Sequence, residues 1–301
     1  MRTRRWLLLA LPAALLAQTP AQFSRPPDLA NISYGPHPRN VLDLWKAPSD
    51  RPTPLVVFIH GGGFRAGDKN QLSPALLDLC LARGISVGAI NYRLTDTAPY
   101  PAPMQDGARA IQYFRSRAKE WNLDPARFGA TGGSAGAGIS LWIGFHDDMA
   151  DPASDDPVRR QSTRLSAMAV NGAQTSYDPR VIRDLIGEAA ARHPALEPFY
   201  GMSGEALNTP KAFRLFEDAS PITHLSKGDP PAFLFYSEAD APLPADAKPG
   251  AGIHHPRFGS YLKKRMDPLG IECVVKHRDD YGDAPAKLQS DIADFFARHF
   301  R

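Results

Sequence analysis

Cysteine is nearly absent from this 301-residue chain, with only Cys80 and Cys273. A small domain stapled by several disulfides is therefore excluded, and stability has to come from a buried core. Both cysteines lie in apolar segments, LLDLCLA and IECVV, of helix and strand character; a single disulfide and two buried thiols both remain open, and neither has the surroundings of a nucleophile. Long apolar runs are also scarce. The stretch Trp6 to Ala17 in MRTRRWLLLALPAALLAQTPAQ has twelve residues, too few to cross a bilayer as a helix. Arginines precede it and small and polar residues follow, the layout of a secretory signal cleaved near Ala17 or Ala21. Residues 1–21 are thus expected to be removed, leaving a mature chain from 22, secreted or periplasmic, with no lipid anchor and no stable membrane insertion. Charge of one sign is missing too. The formal charge of +3 falls to about zero once Arg2, Arg4 and Arg5 leave, so the basic balance implies no nucleic-acid partner.

What the chain does have is a hydrophobic content of 43% against 22% charged residues, which suits one globular domain with a sizeable core. Short apolar runs of strand length recur: PLVVFIH (54–60), ISVGAINYR (85–93), RFGATG (127–132), LSAMAVNG (165–172), AFLFYSEAD (232–240) and IECVVKH (271–277). Between them apolar residues repeat at helical spacing, as in Ile111, Phe114, Ala118 and Trp121, or Phe258, Leu262, Met266 and Leu269; Leu288, Ile292, Phe295 and Phe296 close the chain in the same way. This alternation predicts a mainly parallel twisted sheet with helices on both faces, whose ligands bind at the C-terminal ends of the strands. Residues 22–53 read as an antiparallel edge hairpin. Residues 179–225, helical and punctuated by proline, read as an insertion that covers a pocket within one domain spanning 22–301.

Two motifs carry chemistry. Gly132-Gly133-Ser134-Ala135-Gly136 satisfies G-x-S-x-G between a strand and the apolar helix AGISLWIGF, the context in which a sharp turn lifts the serine above the sheet edge. The helix starting there aims its amides and positive dipole end at charge forming on a substrate. The plainer alternative is a glycine-rich turn whose serine caps a helix. His60-Gly61-Gly62-Gly63-Phe64 follows directly on the strand PLVVFI, and glycines at a strand end let backbone amides approach an oxyanion closely. No lysine follows in Walker spacing, which sets phosphate binding aside.

HGGGFRAGDK, NYRL, PYPAPMQDGARAIQYFRSRAKEWNLDPARFGATGGSAG, DASPITHL and PPAFLFYSEAD together resemble α/β-hydrolase esterases of the hormone-sensitive-lipase-like and feruloyl-esterase-like (BD-FAE) groups, over about residues 33–245. The resemblance implies an α/β-hydrolase fold and Ser134 as nucleophile. It implies an oxyanion hole from the amides of Gly62, Gly63 and Ala135, with His60 organising the glycine loop. The reaction it implies is hydrolysis of a short-chain, aryl or carbohydrate ester through an acyl-enzyme, needing no cofactor or metal. Ser, acid, His is the chain order of this fold. Asp240, followed by Ala-Pro-Leu-Pro, is similar to the family's acid, and Glu238, two residues earlier, is expected to lie deeper along its strand.

The family's histidine follows the next strand in a loop resembling GxGHGF, and there this chain has RDDYGDAPA, with Asp283 at the position. Three outcomes follow. The favoured one turns to His254 and His255, at the end of the loop leaving Asp240 and just before a helix that starts at Pro256; the side-chain direction there leaves the choice between the two open. A second uses His277 at the end of its strand. The third is a noncatalytic binding protein on a hydrolase scaffold; a serine peptidase is a further alternative. A metal bound by the adjacent pair is disfavoured, because neighbouring histidines rarely share one ion and no HExxH spacing accompanies them. His146, His193 and His224 have no visible partners and read as surface or packing residues.

Overall fold

The structure is a computed structural model, and it describes residues 23–284 and 286–301. The expected signal, 1–21, lies outside the described residues. Among the described residues eight strands form a single sheet: β1 (Leu29–Ser33), β2 (Val41–Trp45), β3 (Thr53–Ile59), β4 (Ser86–Ile90), β5 (Leu123–Gly133), β6 (Ala167–Asn171), β7 (Ala232–Tyr236) and β8 (Cys273–His277). Their spatial order is β1-β2-β4-β3-β5-β6-β7-β8. The N-terminal hairpin joins antiparallel, β1 on β2 and β2 on β4, and every later pairing is parallel. This is the α/β-hydrolase fold.

Parallel strands need crossovers, and helices supply them. The first four are α1 (Pro74–Ala82), α2 (Ala102–Ser116), α3 (Ala118–Trp121) and α4 (Ala135–Phe145). The long connection from β6 to β7 holds α5 (Pro179–Leu185), α6 (Glu188–Ala191), α7 (Leu196–Tyr200), α8 (Pro210–Ala219) and α9 (Pro221–His224), and α10 (Arg257–Met266) and α11 (Ala286–His299) flank β8. Several helices start at a polar cap followed by proline. Ser73-Pro74 opens α1, Asp178-Pro179 opens α5 and Thr209-Pro210 opens α8, each cap side chain accepting a first-turn amide hydrogen. The proline costs nothing there, since its missing N–H would have had no partner in the helix.

The sheet separates two apolar layers. Along β3, Leu55, Val57 and Ile59 point into the layer shared with Phe114 of α2, Ile139 of α4 and Phe258 of α10. Val56 points the other way, toward Leu77 of α1 and Phe296 of α11, the period-two alternation of a strand buried on both faces. The insertion belongs to the first layer through Phe199, Tyr200 and Phe216. Cys80 lies in one layer and Cys273 in the other, and both are free thiols. Burial pushes each thiol up to about 12, far from any nucleophilic range.

One strand boundary matters for function. The run AFLFYSEAD suggests a strand to 240, but β7 stops at Tyr236. Its neighbour β8 ends at His277, opposite Tyr236, and the next residue, Ser237, is exposed. With no partner beyond that point, Glu238 stands just past the sheet edge.

Candidate active site

Ser134 sits between β5 and α4 with φ +53° and ψ −118°, a backbone conformation that a non-glycine residue holds only under constraint from its surroundings. Its N–H donates to the Asn171 carbonyl at the end of β6 (2.9 Å), and its carbonyl accepts from Gly138 in the first turns of α4 (3.0 Å). Close packing fixes the rest. A Cβ added to Gly136 would lie 1.9 Å from the Ile59 carbonyl oxygen, so this helix can start against β3 only with glycine there.

Opposite the serine stands His254. Its Nε2 is 2.9 Å from Ser134 Oγ, and its Nδ1 is 3.4 Å from Glu238 Oε1. The same carboxylate oxygen accepts the His254 backbone N–H at 3.2 Å, so Glu238 grips both ring and backbone. Hydrogen bonding to His254, ahead of the opposing effect of burial, holds the Glu238 carboxyl below its ordinary value. An ionised carboxylate can only accept, so Nδ1 carries the proton and Nε2 presents its lone pair to the serine hydroxyl. The loop before His254 is tied down at several points. Gln174 Nε2 donates to the Ile253 carbonyl (2.9 Å), and Gly250 N–H donates to Ala189 in the insertion (2.7 Å).

The glycine loop after β3 runs beside the elbow. A Cβ on Gly61 would stand 2.8 Å from the Gly133 carbonyl oxygen and 3.5 Å from Ser134 Cβ. Gly62 and Gly63 adopt φ +104° and +60°. The amides of Gly62, Gly63 and Ala135, the last at the first position of α4, donate to no acceptor in the hydrogen-bond network of the described residues. They are free for an oxyanion. His60 sits underneath, fully buried and stacked on Tyr92 with ring centroids 4.2 Å apart. Arg39 can only donate, so the 3.1 Å contact from its Nη2 makes His60 Nε2 an acceptor. Nδ1–H then donates to the Gly61 carbonyl at 2.7 Å. Burial pulls the His60 pKa down to about 4, so the ring is neutral and holds the loop in shape.

The other residues singled out from the sequence lie apart from this contact. Asp240 is exposed on the loop and makes no hydrogen bond or ion pair among the described residues. The expectation for Asp240 rested on a strand running to 240 and on the Ala-Pro-Leu-Pro that follows it; the strand ends four residues earlier, and in this structure the carboxylate beside His254 is that of Glu238. His255 turns inward from its neighbour, 2% exposed. Its Nε2–H donates to the Ala241 carbonyl (3.0 Å) and its Nδ1 accepts the Arg257 N–H (3.1 Å), leaving no nitrogen for the serine. His277 Nε2–H donates to the Glu238 carbonyl at 2.7 Å and so props the residue that grips His254. Asp283 is exposed. The sequence did carry a signal for Glu238: Ser237-Glu238 is where the apolar run AFLFY breaks.

Two clefts meet at the Ser134–His254 contact. The larger, about 1000 Å³, lies under the insertion, with Phe64, Tyr177, Leu196, Phe199 and Ile253 among its walls. The smaller, about 450 Å³, lies on the α1 and α11 side and carries Gln71, Ser73, Asn171, Ser237 and Gln289. Both have mixed walls: the larger also carries Arg65, Asp96 and Gln174, and the smaller also carries Phe58, Leu76 and Phe235.

The sheet order and the serine elbow after β5 place the chain in the α/β-hydrolase class. Within that class it belongs to the BD-FAE family, whose model matches residues 42–248. It is similar to Esterase LipQ of Mycobacterium tuberculosis, 28% identical over 223 residues, 72% of this chain and 50% of LipQ. A probable isoprenylcysteine alpha-carbonyl methylesterase of Arabidopsis thaliana is 28% identical over 236 residues, 77% of this chain and 48% of the relative. The chain thus spans about half the length of these relatives. Among solved structures, a truncated carbohydrate esterase from gut microbiota superposes with a TM-score of 0.68 at 20% identity, covering 90% of this chain and 95% of the other. A native thermophilic esterase from the Planctomycetes species Thermogutta terrifontis gives 0.64 at 21%, with 91% and 94% covered. Likeness at that identity speaks for the fold. Among the described residues, no helix is long and apolar enough to cross a membrane.

Proposed function

We propose that the chain is a secreted or periplasmic serine carboxylesterase in which Ser134 is the nucleophile, His254 the general base and Glu238 the residue that orients it. The observation that carries the reading is the 2.9 Å contact between Ser134 Oγ and His254 Nε2, with Glu238 behind Nδ1. His254 Nε2 takes the hydroxyl proton as Oγ attacks the ester carbonyl. The amides of Gly62, Gly63 and Ala135 receive the oxyanion, and the protonated imidazole then gives its proton to the leaving alcohol. Water, deprotonated by the same nitrogen, hydrolyses the acyl-enzyme. The esterase names of the sequence relatives support the ester class. The aromatic and aliphatic walls of the larger cleft (Phe64, Tyr177, Phe199, Ile253) suit a short acyl or an aryl group, and the amides of Asn171, Gln71 and Gln289 in the smaller one offer hydrogen bonds to a hydroxyl-rich alcohol such as a sugar. Export rests on the arginine-led apolar segment at 1–21.

Turnover of p-nitrophenyl acetate and butyrate, together with labelling by a fluorophosphonate, tests the reading. Wild type is expected to turn over and to label. Ser134→Ala is expected to lose both, and His254→Ala to lose turnover by a factor of about 10³ or more. A His254→Ala variant that kept wild-type turnover while His277→Ala lost it would refute the base assignment and leave the class intact. Absence of both turnover and labelling in wild type would refute the esterase.

A further inference from the structure

On the side of the first layer away from the sheet, three residues from three separate stretches of chain converge. His146 follows the end of α4, Asp218 lies in α8 and His224 ends α9. Each offers a ligand atom, and these atoms all lie within 4.8 Å of one another. The imidazoles face each other with centroids 4.5 Å apart, and Trp142 packs beside His146 at 4.5 Å. The outer atoms of all three are already engaged. His146 Nδ1–H donates to the Asp147 carbonyl (3.2 Å). His224 Nε2–H donates to the Asp218 carbonyl (2.7 Å), which also accepts from Trp142 Nε1 (2.9 Å). Tyr100 Oη donates to Asp218 Oδ2. Those bonds leave His146 Nε2, His224 Nδ1 and Asp218 Oδ1 as the free donors, with tautomers fixed so that both nitrogens present lone pairs. A carbonyl behind each histidine and a hydroxyl behind the carboxylate is the supporting arrangement that metal ligands have.

We infer that His146, Asp218 and His224 form a binding site for a divalent transition-metal ion of the zinc kind. Two imidazoles and a carboxylate match that ion's ligand preference, and water completes a tetrahedron. Tetrahedral bonds put ligand atoms roughly 3.3–3.5 Å apart, so side chains whose ligand atoms lie no more than 4.8 Å apart need only side-chain adjustment to close on an ion, which half-buried histidines and an exposed Asp218 permit. The ion joins the helix that begins at Ser134 to the last two helices of the insertion. This site is independent of the esterase reading, and its test does not depend on turnover.

The experiment uses untagged full chain, stripped with a chelator and titrated with Zn²⁺ against a chromophoric competitor, with Co²⁺ absorption as the second readout. Wild type is expected to bind one Zn²⁺ per chain, to melt several degrees higher with about 100 µM Zn²⁺, and to give the visible Co²⁺ bands of tetrahedral coordination. His146→Ala and His224→Ala are each expected to weaken binding at least tenfold and to erase the melting shift and the Co²⁺ bands. Tyr100→Phe is expected to weaken binding about 10–100-fold. His254→Ala should bind like wild type, which separates this site from the active-site histidine. If a histidine variant misfolds, His224→Gln with an apo melting temperature equal to that of wild type takes its place. No uptake by wild type, or uptake unchanged in both histidine variants, overturns the site.

Discussion

Glu238 and Asp240 leave the same strand two residues apart, yet only Glu238 meets His254, and a pair of conservative substitutions separates their roles. Glu238→Gln is expected to lower kcat on p-nitrophenyl butyrate by two to four orders of magnitude, because the amide can hold the wrong imidazole tautomer. Asp240→Asn, with its exposed and unbonded side chain, should stay within a factor of about two or three. The place of Glu238 beside His254 was not legible from the residue alone, since it depended on where β7 loses its neighbour. The histidine was narrowed to an adjacent pair, and the choice between 254 and 255 turned on side-chain direction, which a loop sets. Ser134 and the glycines were legible because their motifs encode a local backbone shape. Another prediction at this scale concerns acid. The unfolded chain takes up a proton at His60 near the ordinary 6.5, whereas the folded chain resists until about 4, so stability falls as the pH drops through that window. Between pH 7 and 5 this group costs about 2 kcal/mol. Urea unfolding at both values should show that loss in wild type and a correspondingly smaller one in His60→Gln. Glu238 acts in the same direction lower down, its contribution present above about pH 4.5 and lost as the pH falls through its depressed folded value.

Among elements, the contact between β3 and the start of α4 is the least forgiving. Gly136→Ala would set a methyl 1.9 Å from the Ile59 carbonyl oxygen, and neither a central strand nor a fully buried helix can move that far. The expected outcome is loss of soluble protein, or a free energy of chemical unfolding lower by about 3 kcal/mol or more. The loop from β7 to α10 behaves differently. His255 closes it from inside through two hydrogen bonds, so His255→Ala is expected to cost about 1–3 kcal/mol and to lower kcat by releasing His254. His255→Asn, which can still bond to the Ala241 carbonyl, should recover part of both, as kinetics beside thermal melting will show. The helical, proline-punctuated character of residues 179–225 was readable in the sequence, and the structure adds that serine, aspartate or threonine caps stand before the prolines that open α1, α5 and α8. The convergence of His146, Asp218 and His224 was not readable, because their spacing of 72 and then 6 positions matches no local metal motif.

For the molecule as a whole, the alternation of apolar runs with helical repeats led to the parallel sheet, whereas the order of its strands is set by long-range pairing and comes from the structure. The pairing of β2 with β4 is a long-range choice with no local cue. Since Cys80 and Cys273 lie on opposite sides of that sheet, a thiol reductant is expected to leave the melting temperature unchanged within about 1 °C, and a reductant-sensitive melt would contradict the two-layer assignment. One connection remains to be considered. Glu238 and His254 lie sixteen positions apart on the single segment joining β7 to α10, whereas among the described residues no side chain of the turn after β8 hydrogen-bonds the serine. Under the proposed reading the acid and the base therefore travel on one contiguous stretch of chain, so a shift of that stretch moves both groups together and keeps their mutual contact.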